Sequence, residues 1–156
     1  MKEFVESLDE NLVYHDHQVH TDHIDIFVHS NRESVLCPLC GQSSSRIHSR
    51  YQRTFQDLPI QGKQVHIHVL NRKYICSHSE CTRKIFAEPL NCVKSNSQKS
   101  ERLLDEITKV ALEASSVTAS GLLRDVGVAV GKSSICTILK KRIKLVDKDT
   151  CGAGPH

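Results

Sequence analysis

The chain has 156 residues with four Phe, three Tyr and no Trp, so large core anchors are scarce and one domain, or two small ones stapled by metal, is expected. Its formal charge is +3, but residues 1–36 hold eight acidic against two basic side chains, while residues 37–156 hold nineteen basic against ten acidic ones. No apolar run is long enough to span a membrane and no apolar signal segment is found, so the seven cysteines are expected in a reducing compartment. An acidic N-terminal segment followed by a basic remainder is typical of a protein that binds a polyanion.

The first ninety residues have the period-two pattern of β-strands. A short helix or a frayed end is predicted over residues 1–14. Alternation of apolar and polar side chains predicts strands over residues 19–28, 46–55 and 65–75. Pro59 and Gly62 lie between the last two strands and supply a hairpin connection. We therefore predict a β-rich domain over residues 1–93.

After a polar, Ser-rich segment the period changes to 3.6 residues. Residues 94–100 are predicted to be a linker, residues 101–146 a three-helix domain, and residues 147–156 a disordered tail. The helices are predicted over about 100–114, 117–126 and from 131 onward. Their predicted inward side chains are Leu103, Leu104, Ile107, Val110, Ala111, Ala119, Leu122, Leu123, Val126, Val128, Ile135, Ile138, Leu139 and Ile143.

Four cysteines lie in two pairs at metal-ligand spacing. They are Cys37, Cys40, Cys76 and Cys81. The first pair encloses Pro38 and precedes Gly41, which is typical of a zinc knuckle, and both pairs fit the C-x(2–4)-C spacing of structural zinc sites. One structural zinc ion is predicted; a catalytic one is not, because four thiolates leave no open position for water. The alternatives are that His78 replaces the last cysteine as a ligand, or that the four are unrelated buried thiols.

Histidines are numerous in the N-terminal part and on the third predicted strand. They are His15, His17, His20, His23, His29, His66 and His68. Imidazole is a common metal ligand, so a second metal site is one interpretation. The sequence shows no accompanying cysteine or clear carboxylate set, and we therefore expect a solvent-facing, His-rich strand edge.

Residues 117–145 have the pattern of a helix-turn-helix, with a Gly-containing turn before an amphipathic last helix. The outward side of that helix carries the candidate DNA-binding residues Lys132, Ser133, Ser134, Thr137, Lys140, Lys141 and Lys144. Short hydroxylated side chains suit base edges, and lysines suit phosphates. The alternative is a helical hairpin with solvated lysines.

A second basic strip lies on the β-rich part. Its candidate DNA-binding residues are Arg46, Arg50, Arg53, Arg72 and Lys73. Aromatic residues interleave with them, a combination that suits a phosphate backbone, although charges that protect a sheet edge give the same pattern. The fold class predicted from all these elements is α+β: a small β-rich zinc ribbon followed by a three-helix helix-turn-helix segment.

Several motifs together carry a family resemblance. They are the CPxCG knuckle at residues 37–41, the run R-x-H-S-R-Y-x-R-x-x-x-D-L-P at residues 46–59, an aromatic residue before C-x(4)-C, and R-x-I-F-A-E at residues 83–88. With them the chain resembles the N-terminal zinc-binding domain of bacterial insertion-sequence transposases of the ISL-three family, in which a helix-turn-helix follows. The resemblance implies that the four cysteines hold zinc and that the protein recognises the terminal inverted repeats of a mobile element.

Transposases of that family continue into an RNase-H-like catalytic domain with a DDE carboxylate triad, and this chain stops where that domain should start. We therefore expect a truncated transposase that binds DNA and is not an enzyme. The expected partners are double-stranded DNA and an intact transposase or a second copy, with no membrane and no small-molecule substrate, in a cytoplasmic, nucleoid-associated location. A free-standing transcription regulator and a zinc-stabilised protein-interaction module are the alternatives.

Overall fold

A computed structural model describes residues 1–149, with side chains described through residue 143. Its elements in chain order are α1 (Lys2–Leu8), β1 (Leu12–Val19), β2 (His23–Ser30), β3 (Val35–Leu36), β4 (Ser43–Ser44), β5 (Ile47–Ile60), β6 (Lys63–Ile75), β7 (Ile85–Ala87), α2 (Glu101–Glu113), α3 (Ser116–Asp125) and α4 (Lys132–Asp149). The predicted α+β class is confirmed. Of the predicted tail, residues 150–156 lie outside the described part of the chain.

A mixed sheet is built around the β5–β6 hairpin. Its strand order is β1-β2-β6-β5, and β7 also pairs with β6. β2 runs parallel to β6, whereas the other pairs are antiparallel. The β5–β6 turn is made by Gln61 and Gly62, which have φ angles of 52° and 76°. Positive φ at both turn residues matches the right-handed twist of the flanking strands. The connection is therefore only two residues long, and Pro59, which was predicted in it, lies near the end of β5.

The prediction for the N-terminal part missed one strand, β1. Residues 12–19 form β1, which pairs with β2 along its length, and the predicted strand over 19–28 begins only at His23 because residues 20–22 turn the chain between them. β1 is an edge strand whose middle residues are mostly exposed and polar. It therefore lacks the apolar alternation by which a half-buried strand is recognised.

One face of the sheet holds the larger apolar core. Its buried members are Val5, Leu12, Ile24, Ile26, Val28, Phe55, Val65, Ile67, Val69, Cys92 and Val93. These come from α1, from four strands and from the segment that follows β7. Because successive side chains on a strand point to opposite faces, Asp25 on β2 and His66 and His68 on β6 lie on the other face.

The segment predicted to be a linker is held along β5 by backbone hydrogen bonds. The backbone N–H of Gln56 donates to the carbonyl of Gln98, and the N–H of Ser100 donates to the carbonyl of Gln56, both at 2.9 Å. Ser100 is also the N-cap of α2, since its Oγ accepts a hydrogen bond from the Leu103 N–H. The start of α2 is consequently fixed relative to the sheet.

A buried carboxylate strengthens the same junction. The side chain of Asp57 on β5 is fully buried and accepts hydrogen bonds from Ser100 Oγ at 2.6 Å and from Arg102 Nε at 2.9 Å. Arg102 Nη2 donates to the second oxygen, which makes the pair bidentate. The ion pair therefore joins the sheet to the first turn of α2.

Helices α2, α3 and α4 pack around a second apolar core. Its buried members are Leu103, Ile107, Ala111, Ala119, Leu123, Val128, Val130 and Ile135. The prediction of an inward side chain is wrong at three positions: Leu122, Val126 and Ile143 are 51%, 53% and 51% exposed. The short α3 buries a stripe through Ala119 and Leu123, four residues apart, so Leu122 falls beside the stripe and Val126 beyond the helix. Ile143 lies on α4, beyond the buried Ile135 and the partly buried Ile138 and Leu139. No described helix is long and apolar enough to cross a bilayer.

The turn between α3 and α4 contacts the β5–β6 turn. Gly127 has φ of 95°, and a Cβ atom at this position would lie 2.6 Å from the Gly62 carbonyl oxygen. A side chain at Gly127 would therefore need both a left-handed backbone and space that the hairpin occupies. This contact places the α3–α4 turn against the end of the sheet.

Replacing Asp57 with Ala should destabilise the protein by about 3 kcal/mol, the low end for breaking a buried ion pair, because the Arg102 side chain is 29% exposed and is partly solvated when left alone. Denaturant unfolding measures this change. The matched control is Glu106→Gln on the exposed face of α2, which should change stability by less than about 0.5 kcal/mol. Equal effects of the two substitutions would show that Asp57 does not hold the junction.

Candidate metal centre

Four thiols converge at the end of the sheet remote from the β5–β6 turn. The Sγ atoms of Cys37, Cys40, Cys76 and Cys81 all lie within 4.8 Å of one another. Cys37 Sγ lies 3.9 Å from Cys81 Sγ, and Cys40 Sγ lies 3.5 Å from Cys76 Sγ. Sulfurs bound tetrahedrally to zinc at about 2.3 Å are about 3.8 Å apart, whereas a disulfide needs about 2.05 Å. The spacing fits one tetrahedral metal ion and no disulfide.

The first cysteine pair sits in a knuckle closed by the short β3–β4 hairpin. The Cys37 N–H donates to the Gln42 carbonyl at 2.9 Å, and the Gly41 N–H donates to the Cys37 carbonyl at 3.0 Å. Gly41 has φ of 76°, which favours glycine. These bonds turn the chain sharply enough to aim both thiols at the same point.

The second pair is positioned by the end of β6. The Cys76 N–H donates to the Lys84 carbonyl at 2.8 Å, and the Cys81 N–H donates to the His78 carbonyl at 3.2 Å. Cys81 belongs to the converging set and His78 does not. The geometry therefore favours Cys81, and not His78, as the fourth ligand.

Electrostatics within the quartet favour a bound cation. The backbone N–H of Cys40, aided by that of Leu39, lowers the pKa of the Cys37 thiol to about 6 against the opposing effect of desolvation. At Cys76 the His78 N–H favours the thiolate, but desolvation and the neighbouring thiols outweigh it and raise the pKa to about 12. Four thiolates this close repel one another unless a cation lies between them, and a coordinated zinc ion deprotonates its thiols outright.

A small apolar core packs against the cysteines of the metal site. Val35, Tyr74 and Phe86 are buried with three of the cysteines, and the Tyr74 and Phe86 rings stack with centroids 6.1 Å apart. Tyr74 precedes Cys76 on β6 by two residues, so packing of this ring fixes the strand end that carries the ligand. The residues present therefore fit one structural zinc ion, as the sequence predicts.

Two of the predicted DNA-binding arginines are engaged inside the fold. Arg72 is 17% exposed; its Nε lies 3.2 Å from Oε2 of the fully buried Glu88, and its Nη2 donates to the Arg32 carbonyl at 2.7 Å. Arg53 donates through Nη2 to the carbonyls of Lys94 and Ser97. These guanidinium groups hold the chain together, which reduces their availability to phosphate.

The remaining candidates on the β-rich part are exposed. Arg46 and Arg50 are open to solvent, and the Nζ of the exposed Lys73 lies 5.4 Å from the centroid of the Tyr51 ring. On α4 the exposed candidates are Lys132, Ser133, Ser134, Thr137, Lys140 and Lys141. Lys144 lies within α4 but beyond the side chains that the structure describes.

Two knuckles that present four thiols to one metal ion define a zinc ribbon. Residues 33–81, which include all four ligands, match the family model described as the zinc-finger of transposase IS204/IS1001/IS1096/IS1165. The match and the four-cysteine cluster support the zinc ribbon of an ISL-three transposase, the family that the sequence motifs resemble. No curated protein and no solved structure matches the chain.

Replacing Cys76 with Ser should remove the ribbon zinc, because three thiols and a neutral hydroxyl bind the ion far more weakly. The wild-type protein should have four thiols that resist alkylation until a chelator is added, and this variant should have no such thiols. Counting alkylated thiols by mass spectrometry measures both. The matched control is Cys136→Ser on α4, outside the quartet, which should leave four protected thiols. Four thiols that react freely in the wild-type protein would contradict the site.

Proposed function

We propose that this chain is the DNA-binding portion of an insertion-sequence transposase and recognises the terminal inverted repeats of its element. The family match of the zinc ribbon supports the link with transposases. The observation that carries the DNA contact is the row of exposed lysines and hydroxylated side chains on α4. Strand cleavage is assigned to a separate catalytic domain, as the resemblance implies.

The geometry of α4 suits insertion into a major groove, which admits an α-helix. Ser133, Ser134 and Thr137 lie in its first turns, where a recognition helix contacts base edges. Lys140 and Lys141 follow one turn later, where they reach phosphates. α3 packs against α4 and provides the first helix of the proposed helix-turn-helix.

A groove beside α4 extends this surface. It has a volume of about 450 Å³ and lies between α4 and the segment that precedes α2. Its lining includes Lys94, Lys99, Lys141 and Arg142 with one acidic residue, Glu101. Arg142 is paired with Glu101 at 3.2 Å, so the three lysines supply the positive charge of the groove. A phosphate strand alongside α4 matches this charge.

A second contact region is proposed at the ribbon, through Arg46, Arg50 and Lys73. These side chains are exposed; Arg50 lies on β5, Lys73 lies on β6, and Arg46 directly precedes β5. The ribbon and α4 would then contact separate stretches of one duplex. The proposed protein partner is a second copy of the chain or an intact transposase bound at the opposite element end.

Replacing Lys140 and Lys141 together with Ala should weaken binding to duplex DNA and flatten its salt dependence, because two phosphate contacts are lost. The slope of log affinity against log salt should fall in magnitude by about 1.8 between about 50 and 200 mM salt. Fluorescence anisotropy of zinc-loaded protein measures it, with the DNA that flanks the chain's own gene and a scrambled duplex of equal length as probes.

The matched control is the double substitution Lys2→Ala and Lys109→Ala, which removes the same charge from exposed positions on α1 and α2. Its salt slope should remain near that of the wild-type protein. Equal slopes for the two double variants would contradict the α4 interface. Equal affinity of the wild-type protein for the flanking and scrambled duplexes would contradict end recognition while leaving general DNA binding in place.

A further inference from the structure

A cluster of histidines and aspartates lies on the outer face of the sheet, at the start of β2. The sequence pattern shows no clear carboxylate set beside the N-terminal histidines, but the structure places Asp25 among them. His20 Nε2 is 3.0 Å and His23 Nε2 is 3.4 Å from the same Asp25 oxygen, Oδ2. The ligand atoms of these three residues all lie within 4.8 Å of one another.

We propose that His20, His23 and Asp25 form a second metal site, which binds one divalent transition-metal ion of the zinc class. Metal–ligand bonds of about 2.0–2.1 Å place tetrahedral nitrogen and oxygen ligands about 3.4 Å apart, close to the two separations between imidazole nitrogen and carboxylate oxygen. Two neutral imidazoles and one carboxylate are a donor set that zinc, cobalt, nickel and copper accept. A fourth position remains open to water.

The fold brings the three ligands together by a tight turn. The His20 N–H donates to the His23 carbonyl at 2.8 Å, and Lys63 Nζ donates to the His20 carbonyl at 2.7 Å. The two imidazole rings consequently stack, with centroids 4.2 Å apart and an interplanar angle of 18°. His23 and Asp25 are two residues apart on β2 and therefore share the outer face of the sheet.

The neighbouring residues hold the ligands in metal-binding form. Asp22 Oδ1 lies 2.6 Å from His23 Nδ1 and accepts its hydrogen bond, so Nε2, which faces Asp25, is the nitrogen available to a metal ion. His68 Nε2 donates to Asp25 Oδ1 at 2.7 Å, so that Oδ2 is left for the cation. Thr54 Oγ1 lies 2.9 Å from His68 Nδ1 and, as its donor, fixes the proton of His68 on Nε2. A ligating histidine bonded to a carboxylate, and a ligating carboxylate that is itself hydrogen-bonded, are the usual surroundings of a protein-bound metal.

The proposed site is separate from the ribbon. Asp25 pairs in register with His66 on β6, and Cys76 lies ten residues further along the chain, directly after the end of β6. At a rise of about 3.3 Å per residue, the two sites are about 33 Å apart. The proposal does not depend on DNA binding, and neither site shares a ligand with the other.

Calorimetric titration of the full chain, with its ribbon already loaded with zinc, tests the proposal with Zn²⁺ as the probe. One further equivalent should bind to the wild-type protein. Affinity should fall at least tenfold in His23→Ala and in Asp25→Asn. The control His48→Ala, an exposed histidine outside the cluster, should leave this binding unchanged.

Two further measurements separate metal binding from a cluster held only by hydrogen bonds. Asp22→Asn changes an exposed side chain, 85% open to solvent, and should still lower affinity about tenfold through His23. Co²⁺ added to the zinc-loaded protein should give visible bands without thiolate charge transfer, which identifies nitrogen and oxygen ligands. Absence of a second equivalent, or equal loss in His48→Ala, would overturn the proposal.

Discussion

The antiparallel pairing of β5 with β6 determines where the metal ligands and the helices lie. Its turn at Gln61 and Gly62 contacts Gly127 and so locates the α3–α4 turn. Its open end delivers Cys76 to the ribbon, and its edge binds the segment before α2 through Gln56. A change in register of this one pair would exchange the buried and exposed faces of the strand and separate all these contacts.

Two buried carboxylates determine which basic residues are free for a polyanion. Asp57 engages Arg102, and Glu88 engages Arg72 and accepts a further hydrogen bond from Ser30. A buried carboxylate without its arginine would be an unpaired charge in a medium that solvates it poorly, so these arginines remain committed to the fold. Basic residues counted along the sequence consequently overstate the surface open to DNA.

The parts that the sequence predicts well depend on local spacing. The four zinc ligands follow from two short motifs, and alternation or helical period identifies β2, β6 and α2. The three proposed metal ligands lie within six residues, but alternation alone predicts one strand from residue 19 and does not show the turn that places His20 beside Asp25. The hydrogen bond from His68 to Asp25 depends on the parallel pairing of β2 with β6, between residues about forty positions apart. Arg72 was assigned to DNA for a similar reason: its partner Glu88 lies on the far side of the second knuckle, where no local pattern connects the two residues.

Charge at the ribbon limits what it contributes to the proposed interface. A zinc ion with four thiolates has a net charge of about −2, which opposes the approach of a phosphate backbone. The exposed cations Arg46, Arg50 and Lys73 offset that charge locally, so little surplus remains at this end. The acidic residue described in the lining of the α4 groove, Glu101, is paired with Arg142, so the lysines there keep their charge. Under the proposed function, the salt-dependent part of DNA binding is therefore expected at α4, and the ribbon is expected to serve chiefly as a rigid, metal-fixed surface that sets the position of the chain on the duplex.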